Sequence, residues 1–151
     1  MSKPKNIIKI NLKFIVALLC LYFAVTTAFA QNKKANKKAI VGIWELSMIE
    51  TNGQPLQATD PGHLKLFNAD GTFANIKVLN TGSVISHSGK YTVDNTQSYT
   101  ETALYRITEN ANDPLGKGFK INYAFSDDKN SLTLKLIYKD GVTSTEVWRK
   151  L

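Results

Sequence analysis

A chain of 151 residues with 43% apolar and 21% charged side chains is long enough to bury one hydrophobic core, and its single cysteine, Cys20, excludes a disulfide framework within the chain. The net charge of +7 is local: Lys3, Lys5, Lys9 and Lys13, then Lys33, Lys34, Lys37 and Lys38, carry it, and residues 39–151 hold 11 basic and 12 acidic groups. That near-neutral balance excludes a nucleic-acid surface of the electrostatic kind, whose affinity comes from neutralising phosphates.

Residues 1–30 join the first four lysines to an apolar run from Phe14 to Val25 and an Ala28-Phe29-Ala30 site, the layout of a cleaved export signal. The run falls short of the roughly 20 residues that span a bilayer. The sequence therefore predicts export, with cleavage near Ala30 and a periplasmic or secreted mature chain starting at Gln31. Leu19 is too large for the position before a lipid-bearing cysteine, so Cys20 reads as part of the discarded run. Residues 31–38 are polar, basic and aperiodic, a disordered spacer whose Lys33, Lys34, Lys37 and Lys38 suit weak contact with an anionic membrane surface.

Ala39 to Glu50 reads as the opening strand, with Trp44, Leu46 and Met48 on one face and Glu45 and Ser47 on the other. Residues 51–62 contain Asn52-Gly53, Pro55 and Asp60-Pro61-Gly62 and cannot sustain a ladder; connections of that length are often lids or binding loops. His63–Phe67 and Thr72–Leu79 flank Asp70-Gly71, a hairpin signal. In Val84–Val93 the alternation groups Ile85, His87, Gly89, Tyr91 and Val93, and a glycine inside a strand marks a bulge or bend. Tyr99–Ile107 groups Tyr99, Glu101, Ala103, Tyr105 and Ile107. A second long connection, 110–117, precedes Phe119, Ile121, Tyr123 and Phe125 in strict alternation, followed by Leu132, Leu134, Leu136 and Tyr138. Asp140-Gly141 turns into a last strand carrying Glu146-Val147-Trp148-Arg149. Eight strands joined next to next, with no helical period, predict an all-β fold, an antiparallel eight-stranded meander barrel, because closure removes the edges an open sheet would expose.

Gly42-Ile43-Trp44 on the first strand, with Arg149 on the last, resembles the Gly-x-Trp signature of lipocalins and related calycins. The resemblance implies that a basic side chain from the last strand packs across the tryptophan at the closed end, making Gly42, Trp44 and Arg149 structural residues. Together with Lys65-Leu66-Phe67-Asn68-Ala69-Asp70-Gly71-Thr72-Phe73, Gly89-Lys90-Tyr91, Tyr99-Thr100-Glu101 and Glu146-Val147-Trp148-Arg149-Lys150, the pattern resembles small exported bacterial lipocalin-like domains of unknown function. It implies a lipocalin-like barrel over residues 39–151 and implies fold more than activity.

The two histidines, His63 and His87, have no third ligand at metal spacing, and no nucleophile elbow, phosphate-cradling loop or cofactor motif is present. The expectation is a non-enzymatic protein without metal or cofactor. The candidate ligand-binding residues are His87, Tyr91, Tyr99, Glu101, Tyr105, Tyr123 and Phe125, which alternation places on common faces of three central strands. If those faces point inward, they line an aromatic cavity holding one carboxylate. Glu101 then either fixes a ligand's polar head or pairs with an internal lysine or arginine. The function expected is binding of a small hydrophobic or amphipathic molecule in the barrel. The alternative is a protein-interaction module, an inhibitor or envelope accessory factor, acting through the 51–62 or 110–117 loop around a side-chain-filled barrel.

Overall fold

The computed structural model describes residues 38–108 and 113–151; the expected export signal, and all of the spacer but Lys38, lie outside them. Nine strands follow in chain order: β1 (Gly42–Thr51), β2 (Gln57–Ala58), β3 (His63–Phe67), β4 (Thr72–Leu79), β5 (Gly82–Val93), β6 (Ser98–Arg106), β7 (Gly118–Phe125), β8 (Ser131–Ile137) and β9 (Thr143–Lys150). Every pairing is antiparallel, and β3 to β9 pair next to next. β1 joins β3 on one side and β9 on the other, closing eight strands into a barrel without a free edge. The two-residue β2 takes over the flank of β1 at Met48 and Ile49, beyond the point where β3 leaves it at Glu45.

The links form from local side-chain chemistry. In the β3–β4 turn, Asp70 Oδ1 accepts the Thr72 N–H at 2.8 Å and the Gly71 N–H donates to the Asn68 carbonyl at 3.1 Å, so a short polar side chain replaces a ladder partner. The barrel end that carries this turn is filled by rings. Phe67 packs on Tyr91 at 4.9 Å and Tyr99 at 5.5 Å, Tyr99 on Tyr123 at 5.7 Å, and Phe125 on Tyr123 at 5.5 Å and Trp44 at 6.0 Å. These tilted and edge-to-face contacts add to the large apolar area the rings remove from water.

Two expectations change at this end. The opening strand was expected from Ala39, but residues 38–40 are helical and β1 starts at Gly42. The helical turn buries Ile40 and points its carbonyl at Trp44 Nε1, 2.8 Å away, giving the indole N–H a partner that a continued strand would place elsewhere. The basic side chain across Trp44 is Lys150, with Nζ 5.3 Å from the ring centroid, rather than Arg149. Alternation decides this: Trp148 is buried, so Lys150 shares its face, while Arg149 is 64% exposed and pairs with Glu45 at 2.6 Å. Gly42, at φ +142°, makes room for that lysine, since a Cβ there would sit 3.3 Å from Lys150 Cε.

Three register shifts lie toward the other end. The β1–β9 pairing passes over Ser47, β4–β5 over Ser86 and β5–β6 over Leu104. One extra residue inverts the in/out phase of everything beyond it. Ile49 therefore turns inward where Met48 was expected, Ile85 faces out, and Arg106 replaces Tyr105 on the inner face; Tyr105 is 50% exposed. The bend expected at Gly89 is the third of these shifts. A Cβ on Gly89 would meet the Thr102 carbonyl oxygen at 2.0 Å, so only glycine permits β5 and β6 to approach this closely.

Candidate functional site

Beyond the filled half, the barrel opens into a cavity of about 530 Å³. Its mouth lies at the end from which the long β1–β3 and β6–β7 connections leave, because alternate links of a meander fall at the same end. The inward register explains what lines it. Lys65, Asn75, His87 and Arg106 sit side by side on β3, β4, β5 and β6, forming a polar belt across half the wall. The opposite wall is more apolar: Leu46, Ile49, Phe119, Leu136, Tyr138 and Trp148, with Phe119 and Tyr138 stacked at 5.3 Å and Glu146 set among them.

Two ion pairs are formed by residues lining the cavity. Lys65 Nζ lies 2.6 Å from Glu101 Oε1, with the side chains 4% and 9% exposed, and Tyr99 donates its hydroxyl to the same oxygen at 2.9 Å. The ammonium is further surrounded by Phe67, Phe73 and Trp148, whose ring centroids lie 5.4, 5.6 and 5.8 Å away, so an otherwise costly buried cation meets both a carboxylate and three π-faces. Arg106 pairs with Asp113. Burial, with the Lys65 and Arg106 cations nearby, pushes His87 down to about 3, so it is a neutral imidazole at physiological pH. The Asn75 amide hydrogen-bonds its ring. Asn75 Oδ1 and Arg106 Nε, on either side of His87, are buried without a hydrogen-bond partner among the described residues. Glu146 accepts the Trp148 indole N–H at 2.9 Å; burial raises its pKa above the ordinary carboxyl value, with Lys65 opposing.

Of the candidate residues read from sequence, His87 and Glu101 line the cavity. Glu101 already has Lys65 and Tyr99 as partners, which matches the ion-pair alternative for it. Tyr91, Tyr99, Tyr123 and Phe125 belong to the filled half instead: Tyr91 donates to the Asn68 carbonyl at 2.8 Å and Tyr123 to the Asn95 carbonyl at 3.1 Å, anchoring the closed-end turns. Burial pushes the Tyr91 phenol up to about 12 and that of Tyr99 well above its usual value, so both remain protonated donors. Tyr105 lies on the outer surface, displaced by the Leu104 bulge. The cavity residues not singled out from sequence include Lys65, Arg106 and Glu146. Period two carries a signal for two of them, since Lys65 shares a face with Phe67 and Glu146 with Trp148.

Ser86, His87 and Asn75 touch in an order that resembles a hydroxyl nucleophile, base and orienting amide. Ser86 Oγ is 3.3 Å from His87 Nδ1, but it also donates to the Asn75 carbonyl at 3.2 Å. Burial and the Lys65 and Arg106 cations, which lower the His87 pKa to about 3, make the ring a weak base toward that hydroxyl. Among the described residues no group of three or more His, Cys, Asp or Glu side chains is arranged to hold a metal ion.

Residues 39–151 match a family described as a domain of unknown function, DUF4488. No curated protein matches. Among solved structures, a redesigned β-barrel is similar at 12% identity and a TM-score of 0.43, over 77% of this chain and 95% of that one.

Proposed function

The chain belongs to the DUF4488 family, and from that premise we propose that it is a lipocalin-like, non-enzymatic receptor for a small, partly apolar molecule, exported to the periplasm or beyond. The cavity carries the reading. A volume of about 530 Å³ suits one small ligand, and its wall combines a stacked aromatic pair with a few polar groups, the composition of small-molecule sites. The lipocalin-like assignment draws support from the meander closure and from the Gly42, Trp44 and Lys150 arrangement at the closed end. Interaction through the loops remains the second reading, favoured by Leu56 and Leu115, exposed apolar residues of the two connections at the mouth.

Fluorescence titration of the full chain with N-pentyl dansylamide, a neutral probe with a flat body and an apolar tail, tests the proposal. Saturable binding is expected, lost in Ile49→Trp, which fills the cavity while circular dichroism still reports the barrel. Native mass spectrometry of protein isolated from its own cell envelope is expected to carry a small-molecule adduct. Absence of both probe binding and adduct, or probe binding indifferent to Ile49→Trp, overturns the proposal in favour of interaction through the loops.

A further inference from the structure

We propose that the ligand of this cavity carries a protonated amine that seats on Glu146, an inference that rests on the binding function proposed above. The charges of the interior do not balance. Lys65 and Arg106 are matched by Glu101 and Asp113, each within its own ion pair, and His87 is neutral. Glu146 is the third carboxylate on the wall and has no ion pair among the described residues. Its ladder neighbours are Ile49 on β1 and Leu134 on β8, neither of which offers a donor from its side chain. Among the described residues its carboxylate accepts the indole N–H of Trp148 on Oε2. Lys77, the further cation of the lining, is exposed at the mouth rather than drawn in to it.

A part-buried carboxylate that shares the field of one cation, Lys65, already paired with Glu101, is an unfavourable arrangement that proteins relieve by protonation or by binding a counter-charge. Burial, aided by the Glu101 charge, raises the Glu146 pKa, against the opposing effects of Lys65 and the Trp148 indole. A bound ammonium would supply counter-charge beside the Trp148 and Tyr138 side chains on the same wall, while the apolar body of the ligand lies against the Phe119–Tyr138 pair. An anionic ligand would face Glu146, with Lys65 and Arg106 each already in an ion pair.

Three probes with one body and different tail ends test this on the full chain at neutral pH: dansylcadaverine, a cation; N-pentyl dansylamide, neutral; and dansyl-6-aminohexanoate, an anion. The cation is expected to bind about tenfold or more tightly than the neutral probe, the gain of a charge-assisted contact in a dry site, and the anion most weakly. Glu146→Gln is expected to abolish the preference of cation over neutral probe. Equal affinities for cation and neutral probe, an anion that binds best, or a preference that survives Glu146→Gln overturns the inference. If Glu146→Gln does not fold, the probe series on the unaltered chain decides alone. Failure of all three probes to bind, with no adduct on the isolated protein, removes the binding function itself, whereas neutral binding without cation preference removes only the amine.

Discussion

The Lys65–Glu101 pair allows an asymmetric prediction, because Lys65 serves two carboxylates and Glu101 serves one cation. At 2.6 Å and an effective dielectric near 20, the gross attraction is about 6 kcal/mol, most of it offset by desolvating both groups. The quantity a variant reads is instead the cost of stranding a partner, about 3–5 kcal/mol for a buried pair broken on one side. Lys65→Met keeps a long apolar stem among Phe67, Phe73 and Trp148 but leaves Glu101 and Glu146 together without a cation, so it is expected to cost that full amount. Glu101→Gln still accepts the Tyr99 hydroxyl and leaves Lys65 in the field of Glu146, so its expected cost is about 1–3 kcal/mol. The double variant should cost less than the sum of the two. Urea unfolding of the full chain, followed by tryptophan fluorescence and circular dichroism, measures all three. A Lys65→Met cost below about 1 kcal/mol, or a Glu101→Gln cost exceeding it, would refute the shared-cation reasoning.

Gly89→Ala forces a methyl into the Thr102 backbone, which cannot yield as a side chain would, and is expected to cost about 3 kcal/mol, the upper end for overpacking; an unchanged urea midpoint would show that β5 and β6 can part there. His87 has a folded pKa of about 3 against an ordinary value of 6.5, so the unfolded chain binds the proton first and acid destabilises the fold through this residue. Its stabilising contribution is fully present above pH 6.5 and declines toward pH 3, by up to about 1.4 kcal/mol per pH unit, and His87→Asn should flatten that slope in urea titrations across the range. Glu146 has the opposite sign: its folded pKa is raised, so stability is lost as pH rises through it. Glu146→Gln should therefore melt higher than the unaltered chain at mildly alkaline pH and lose that advantage below the ordinary carboxyl pKa of 4.5; a lower melting temperature throughout would show the charge to be well satisfied.

The sequence reveals the closed half of the barrel more clearly than the mouth, and the bulges explain the difference. Phe119, Ile121, Tyr123 and Phe125 alternate without interruption, and each faces inward as alternation requires. Gly89 is legible as a break, but the extra residue falls on the partner strand at Leu104, and nothing local in β5 says which strand will carry it. The phase read through Tyr99, Glu101 and Ala103 is therefore correct up to that point and inverted beyond it, which exchanges Tyr105 for Arg106. Lys65 and Glu146 are different cases. Their inward direction follows from Phe67 and Trp148, but charge argues against burial until the partners are known, and Glu101 and Lys65 lie 36 positions apart on strands that do not pair directly. The same alternation that turns Trp148 inward assigns the tryptophan clamp to Lys150, where the Gly-x-Trp resemblance pointed to Arg149.

The ring closure described above also governs how the chain reaches its fold. The β1–β9 ladder joins residues such as Met48 and Val147, 99 positions apart, whereas the other ladders join strands near one another along the chain. Closing so long a loop carries an entropic cost that the hairpins do not bear, so this seam is expected to form late. Until it does, β1 and β9 are open edges of a nearly complete sheet, and β9 of a second copy fits β1 in the register its own would take. Concentration then selects between closure within one chain and exchange between two, a swapped dimer built from native ladders. Refolding at low and at high protein concentration, followed by size-exclusion chromatography, is expected to give monomer in the first case and a growing dimer fraction in the second; identical profiles would mean that the seam closes too early to be shared.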